Sequence, residues 1–255
     1  MKGRVILPKF FVNREQILDN KIKIIGQDVN HIKNVLRLEK NDNIVISVKE
    51  NSDTYNCKIE EIKPEFIMCC IIDKNLDTTE TKTYIHIFQG MPKADKLEFI
   101  IEKCTEIGVK EITPVIMKRS IVKINEKDAS KKLIRWQKIA EIAAKQSGRD
   151  KILKVNNIIN FKNLFENLAE YDIVFIAYEN EKYNFLKSCL KKVKKTNMKI
   201  AVLIGPEGGI DDEEINNIRS SASNIEIVTL GKRILRTETA PIVISSNILY
   251  ELEEI

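Results

Sequence analysis

The rhythm of apolar and polar positions changes once along the chain. Up to residue 72 it is mainly a rhythm of two: residues 43–49 (NIVISVK) alternate apolar and polar, as a strand with one buried face does. Residues 55–62 and 66–72 follow as strands separated by Lys63-Pro64, a turn signal, and Asn41-Asp42 marks another turn. One short helix is expected after Asp28 as N-cap, with Val29, Ile32, Val35 and Leu36 on one face. Many short strands in so short a stretch predict a small β-barrel, which closes its own edges.

Residues 73–83 (DKNLDTTETKT) are polar and without apolar period, and read as a linker. Beyond them strands alternate with helices. Residues 84–89 and 111–117 are strand-like, and a helix over 96–107 carries Leu97, Ile100, Ile101, Cys104 and Ile107 toward a core, with Gly108 as its stop. A helix over 130–147 has Leu133, Trp136, Ile139, Ala140 and Ala143 on its inner face. Strands at 172–178, 199–204 and 225–230 then alternate with helices carrying Leu186, Cys189, Leu190 and Val193, and at 211–220 and 240–252. The strands are near-continuous apolar runs, which predicts an α/β domain with a largely parallel sheet covered on both faces.

Composition sets limits. Hydrophobic residues are 43% and charged residues 31% of the 255 positions, which excludes wholesale disorder. The longest apolar runs are strand-sized, whereas a bilayer span needs about 20 residues, so no membrane segment is expected. Pro8 and Lys9 cut short the apolar amino-terminal stretch, and no signal peptide is expected. Five cysteines without a CxxC pair read as reduced thiols in the cytoplasm, and two histidines without a cluster argue against a metal site. Net charge is +5. Residues 118–149 hold ten bases against three acids, a density that suits a polyanion such as RNA and equally suits a solvated helix face.

Two segments carry candidate chemistry, each between a strand and a helix. Gly205-Pro-Glu-Gly-Gly209 stands where open α/β sheets bind ligands, at a strand's carboxyl end. It is neither GxGxxG nor a Walker loop, and the next strand offers no ribose-binding acid. Glu207, Asp211, Asp212, Glu213 and Glu214 suit a helix amino terminus but repel phosphate. Helix capping does not account for Glu207, so a neutral or cationic ligand is expected, a condition that S-adenosylmethionine meets. The second segment, Leu230-Gly-Lys-Arg-Ile-Leu-Arg-Thr-Glu-Thr-Ala240, offers Thr237 or Thr239 as a helix cap and Pro241 for the first turn, leaving Arg233, Arg236 and Glu238 unexplained. Two loops of complementary charge at adjacent strand ends predict a pocket.

GPEGG followed by LGKRILRTETA resembles the SPOUT superfamily of knotted methyltransferases, specifically the small-subunit ribosomal RNA uridine-N3 methyltransferases. The similarity extends through His31-Ile-Lys-Asn-Val-Leu-Arg37, Pro92-Lys-Ala-Asp-Lys-Leu-Glu98, Lys103-Cys-Thr-Glu-Ile-Gly108, Arg119-Ser120, Arg135-Trp-Gln-Lys-Ile-Ala140 and Gln146-Ser-Gly-Arg149. Asn41-Asp42 stands where the family usually has Gly-Asp.

The resemblance implies a PUA-like RNA-binding barrel over 1–72, a linker over 73–83, and a SPOUT α/β domain with a trefoil knot over 84–255. It implies a homodimer, S-adenosyl-L-methionine as cofactor, and small-subunit ribosomal RNA or the assembled subunit as partner. By matching positions, the cofactor contacts fall in Leu203, Ile204, Gly205, Glu207, Gly208 and Gly209, and in Leu230, Gly231, Ile234, Leu235, Arg236, Thr237, Glu238, Thr239 and Ala240. Uracil N3 is a poor nucleophile until its proton leaves, so the site must accept that proton or stabilise charge on the flanking carbonyls. Arg236 is the candidate for stabilising that charge, with Glu238 or Glu207 orienting the base. Candidate RNA contacts are Arg4, Lys9, Lys33 and Arg37 in the first domain, with Arg119, Arg135 and Arg149 in the basic segment. Two alternatives are another nucleotide-handling enzyme and a noncatalytic ribosome-assembly factor on the same scaffold.

Overall fold

The structure is a computed structural model and describes residues 7–122, 125–193, 197–221 and 224–254. The chain divides into two compact units, residues 1–80 with 144–152, and residues 81–143 with 153–255.

The first unit is a curled sheet, six-stranded among the described residues. Its strands are β1 (Lys9–Val12), β2 (Ile17–Leu18), β3 (Lys21–Ile25), β4 (Asn43–Val48), β5 (Thr54–Ile62) and β6 (Phe66–Asn75), with a short helix α1 (Gln27–Asn30) after β3. The order is β1-β4-β5-β6-β3-β2, with β1 parallel to β4 and the other pairs antiparallel. Irregularities in the β5–β6 register at Asn56/Cys57 and Ile59/Glu61 add the twist that curling needs. Phe10, Ile22, Ile24, Ile32, Ile44, Ile46, Ile59 and Ile67 fill its interior.

The chain departs from its sequence reading at the helix after β3. Gly26, with φ of 74°, precedes α1 rather than Asp28, and a π-turn over His31–Val35 continues it. The wider turn leaves Val29 and Ile32 buried but Val35 exposed, so the expected single apolar face is broken. Asp73–Asn75 continue β6, the short strands β1 and β2 have no periodic signal long enough to announce them, and β3 follows the alternation of its sequence KIKII.

Residues 144–152 belong to this unit through a buried polar cluster. Lys9 Nζ pairs with the Asp150 carboxylate and donates to the Gly148 carbonyl. Asp150 also accepts from Thr54 Oγ1 (3.0 Å), Thr78 Oγ1 (3.1 Å) and the Thr79 N–H (2.8 Å). Arg149 makes a two-pronged pair with Glu80 at 3.1 and 2.7 Å.

The second unit is a parallel sheet, seven-stranded among the described residues. In chain order it contains β7 (Tyr84–Gly90), α2 (Lys96–Ile107), β8 (Glu111–Ile116) and α3 (Glu126–Ser147), whose last turn belongs to the first unit. There follow β9 (Lys154–Val155), β10 (Ile159–Asn160), a 3-10 segment (Phe161–Glu170), β11 (Ile173–Ala177) and α4 (Leu186–Leu190). Last come β12 (Lys199–Ile204), α5 (Asp212–Ser221), β13 (Ile225–Val228) and α6 (Ala240–Glu251). The order is β10-β8-β7-β12-β11-β13, with β9 beside β8. Helix α2 ends where expected: Gly108 takes φ of 113°, and its N–H reaches the Cys104 and Thr105 carbonyls. Helix α4 is shorter than the pattern suggested, and Val193 lies beyond it. No helix among the described residues is long and apolar enough to cross a membrane.

Register decides where chemistry can gather. Ile204 pairs with Gln89 on one side and Ala177 on the other, and Ala177 pairs with Val228. The carboxyl ends of β7, β12, β11 and β13 are therefore level, and the loops that follow all leave the same sheet edge.

Candidate active site

Two of those loops are held together from below. Gly90, the last residue of β7, lies so close to the glycine turn that a Cβ there would come within 2.6 Å of Pro206 N and Cδ and 2.9 Å of the Gly205 carbonyl carbon. Thr237 Oγ1 donates to the Gly205 carbonyl (2.7 Å) and accepts from the buried Gln89 side chain (2.9 Å). Thr237 is thus a tie between loops, and Thr239, at the N-cap position of α6, makes no side-chain cap bond. Pro241 occupies the first turn of α6, as the sequence allows.

Above this floor lies a cavity of about 520 Å³. Ile204, Gly205, Glu207, Gly208 and Gly209 line one wall, and Leu230, Gly231, Ile234, Leu235, Arg236, Thr237 and Ala240 line the other. Three expected residues stand outside it. Leu203 turns into the sheet's core at 1% exposure, because alternation along β12 gives it the opposite face. Glu238 and Thr239 belong to the second loop but do not line the cavity; Glu238 pairs with Lys96.

Residues not singled out in the sequence complete the walls: Lys96 from α2, Tyr178 and Glu179 from the loop after β11, and Thr229 and Lys232 beside the second loop, where Arg233, left unexplained by the sequence, also lines the cavity. Glu179 was legible in principle, since it follows a strand end just as Gly205 does. A Cβ on Gly209, whose φ is 71°, would meet the Glu179 carboxylate at 1.9 Å. Lys96 sits within a quoted motif whose role its spacing alone did not reveal.

Electrostatics corrects one expectation. Glu207 does not present an open negative charge to a ligand: Lys96 Nζ is 3.0 Å from its carboxylate, and the Lys93 N–H donates to it at 3.1 Å. Burial works to raise its pKa, but the Lys96 bond and backbone donors hold it below the ordinary carboxylate value. With Lys232, Arg233 and Arg236 also on the walls, exclusion of phosphate does not follow from Glu207. The acids after the turn are likewise engaged. Glu214, 5% exposed, accepts from the Lys118 and Asp211 N–H groups, while Lys118 and Arg119 pair with Asp211.

The expected RNA contacts divide. Lys9 (7% exposed) and Arg149 (4%) are spent inside the first unit on Asp150 and Glu80, so neither is offered to phosphate. Arg119 bonds the Gly208 carbonyl (3.2 Å) and borders the glycine turn. Arg135 is exposed and pairs with Glu98. Arg37 is exposed and Lys33 half-buried, neither with an ion pair among the described residues. Arg4 lies outside the described residues. Much of the apparent basic excess of 118–149 is answered by acids elsewhere in the chain: Asp211, Glu98, Asp28 and Glu80.

Known proteins resemble this chain over most of its length. An RNA methyltransferase domain family matches residues 79–249, and an RNA methyltransferase PUA domain family matches residues 24–69. The chain is 34% identical over 233 residues to the ribosomal RNA small subunit methyltransferase E of Bacillus subtilis, covering 90% of each chain. It is 36% identical over 234 residues to the protein of that name from Mesomycoplasma hyopneumoniae, covering 92% of this chain and 95% of that one. Among solved structures it is similar to a ribosomal RNA small subunit methyltransferase E from Neisseria gonorrhoeae bound to S-adenosyl methionine. The TM-score is 0.83 and the identity 27%, over 96% of this chain and 98% of that one.

Proposed function

The chain belongs to the RNA methyltransferase family that joins a PUA domain to a methyltransferase domain, and from that premise we propose that it methylates N3 of a uridine in small-subunit ribosomal RNA, with S-adenosylmethionine as donor. The observation that carries this reading is the cavity between the 205–209 and 230–240 loops, tied by Thr237 and lined by twelve of the fifteen residues that the resemblance assigns to the cofactor. Its volume suits a nucleoside-sized ligand. Glu179, an exposed carboxylate on the wall, suits a cationic group, and the glycine turn exposes backbone to a neutral one. When bound, the cofactor supplies the electrophilic methyl group. Leu203 supports the site from the core, Glu238 through its pair with Lys96, and Thr239 from the N-cap position of α6.

The protein's own task is to hold the uracil in line and favour its ionised form. Glu207 and Glu238 are both held below the ordinary carboxylate pKa, against the effect of burial, by bonds that include Lys96. Carboxylates so stabilised are weak proton acceptors, which fits them to orient rather than to deprotonate. Arg236, whose side chain is 80% exposed and only 3.9 Å from Glu238, is free to place its guanidinium against a uracil carbonyl where negative charge grows. Arg37 and Lys33 of the first unit, with Arg119 and Arg135 of the second, are the proposed RNA contacts.

Two further features extend the reading. Tyr250 (73% exposed) and Phe185 (43%) border an apolar depression between α4 and α6, next to Leu230 and Gly231 of the site, which supports a homodimer formed on this face. The five cysteines are all unpaired thiols, which supports a cytoplasmic setting. Incubation of undermethylated small subunits and of naked ribosomal RNA with radiolabelled cofactor tests the function. Label at N3 of a single uridine is expected; label on another atom, or none with either substrate, rejects it.

A further inference from the structure

The first turn of α2, the glycine turn after β12 and the loop before α6 are remote in sequence, yet all three meet at one cation. Lys96 Nζ lies 3.0 Å from Glu207 Oε1 and 3.2 Å from Glu238 Oε2. Around this pair, the Lys93 N–H also donates to Glu207, and Arg236 stands 3.9 Å from Glu238 on its far side. Among the described residues no other charged side chain is paired with either carboxylate.

Remove the lysine and, among the described charged side chains, only the solvent-exposed Arg236 remains to the two carboxylates, 3.9 Å from Glu238, while Glu207 keeps the Lys93 N–H and no paired cation. Like charges so placed separate, or one of them takes a proton. A lysine carries its charge on a flexible, compact head, and Lys96 forms ion pairs with carboxylates on two different loops. We propose that Lys96 is a positioning residue: it locks the two cofactor-binding loops to α2 and fixes the charge of the pocket, so that cofactor affinity does not vary across neutral pH. The inference rests on the reading of the cavity as the S-adenosylmethionine site.

The surroundings agree with that role. The bond to Glu207 raises the Lys96 pKa, burial opposes it, and the bond to Glu238 adds to the rise; the net shift is upward, so it stays protonated and is no candidate to accept the uracil proton. The two loops are also tied at their base by Thr237, so loss of Lys96 frees their outer ends and leaves the fold standing.

The test is calorimetric titration of S-adenosylmethionine into the full chain and its Lys96→Met, Lys96→Arg and Lys96→Met/Glu238→Gln variants, from about pH 5.5 to about pH 8. The unmutated chain should bind with a flat profile. Lys96→Met should bind about tenfold more weakly at the alkaline end and recover as pH falls, because protonation of one carboxylate relieves the repulsion. Lys96→Arg should regain most of the affinity, and the double variant should regain part of it without pH dependence. Unchanged affinity in Lys96→Met overturns the inference, as does a loss that is flat in pH and not rescued by arginine, the signature of a merely structural residue. Failure of the unmutated chain to bind overturns the reading of the cavity and the inference with it, and is told apart because no variant is involved.

Discussion

A single hydrogen atom at position 90 decides whether the glycine turn can reach its place. Alanine there meets main-chain atoms of Gly205 and Pro206, which cannot swing aside as a side chain can. Gly90→Ala should cost about 2 kcal/mol of stability, as overpacking does, and weaken cofactor binding through displacement of the turn. Urea denaturation and calorimetry check both. Arg236→Ala is expected to separate the two functions of the pocket: methyl transfer falls by about a hundredfold, the loss of one charge-stabilising donor, while cofactor affinity stays within a few-fold. Unchanged turnover in a single-turnover assay would discard Arg236 as the stabiliser. His86 shows the same economy away from the site. It is buried between the Tyr171 hydroxyl and Thr113 Oγ1, and burial, only partly opposed by Glu111, lowers its pKa to about 4. The unfolded chain binds the proton more readily, so this histidine's contribution is complete above about pH 6.5 and is lost as pH falls toward 4, about 3 kcal/mol in all. Glu111, also lowered in the fold, acts in the same direction. A His86→Gln chain should show a flatter dependence of unfolding free energy between those pH values.

Among the elements, those with long periods were legible and the short ones were not. Helix α2 and strand β12 stand at the boundaries their periodicity predicts, because twelve residues of one helical face, or six of unbroken apolar strand, outweigh local variation. Strands β2, β9 and β10 are two residues each, and nothing repeats within two residues. The π-turn at His31–Val35 shifted the apolar face because the sequence pattern assumes a pitch of 3.6. Polar clusters were misread for a related reason: a lysine's sequence neighbours do not reveal its partner. Lys9 reads as a surface base, yet it pairs with Asp150 deep in the first unit. Asp150→Ala should therefore cost about 3 kcal/mol, since it leaves a buried ammonium without its counter-ion. A loss below about 1 kcal/mol in urea denaturation would show that the cluster is solvated, as surface pairs are.

On the scale of the whole molecule, charge and topology act together. RNA affinity should fall steeply between about 50 and about 200 mM salt, and Arg37→Ala should lower the slope of log K against log salt by about one. A slope unchanged by that variant would remove Arg37 from the interface. The sequence by itself determined the two architectures, their chain order and the two loops that face the cavity, because these depend on local periodicity, turn chemistry and motifs contiguous along the chain. Glu207 was recognised as anomalous from sequence, but its meaning was not legible there. Only the tertiary structure supplied Lys96 from one helix, Glu179 from another strand end and Thr237 as the tie. It also withdrew Lys9 and Arg149 from the surface. The reason is physical: the level carboxyl ends of four parallel strands bring together side chains more than a hundred residues apart. The energy of a charge is set by whatever lies within a few ångströms of it in space, not along the chain.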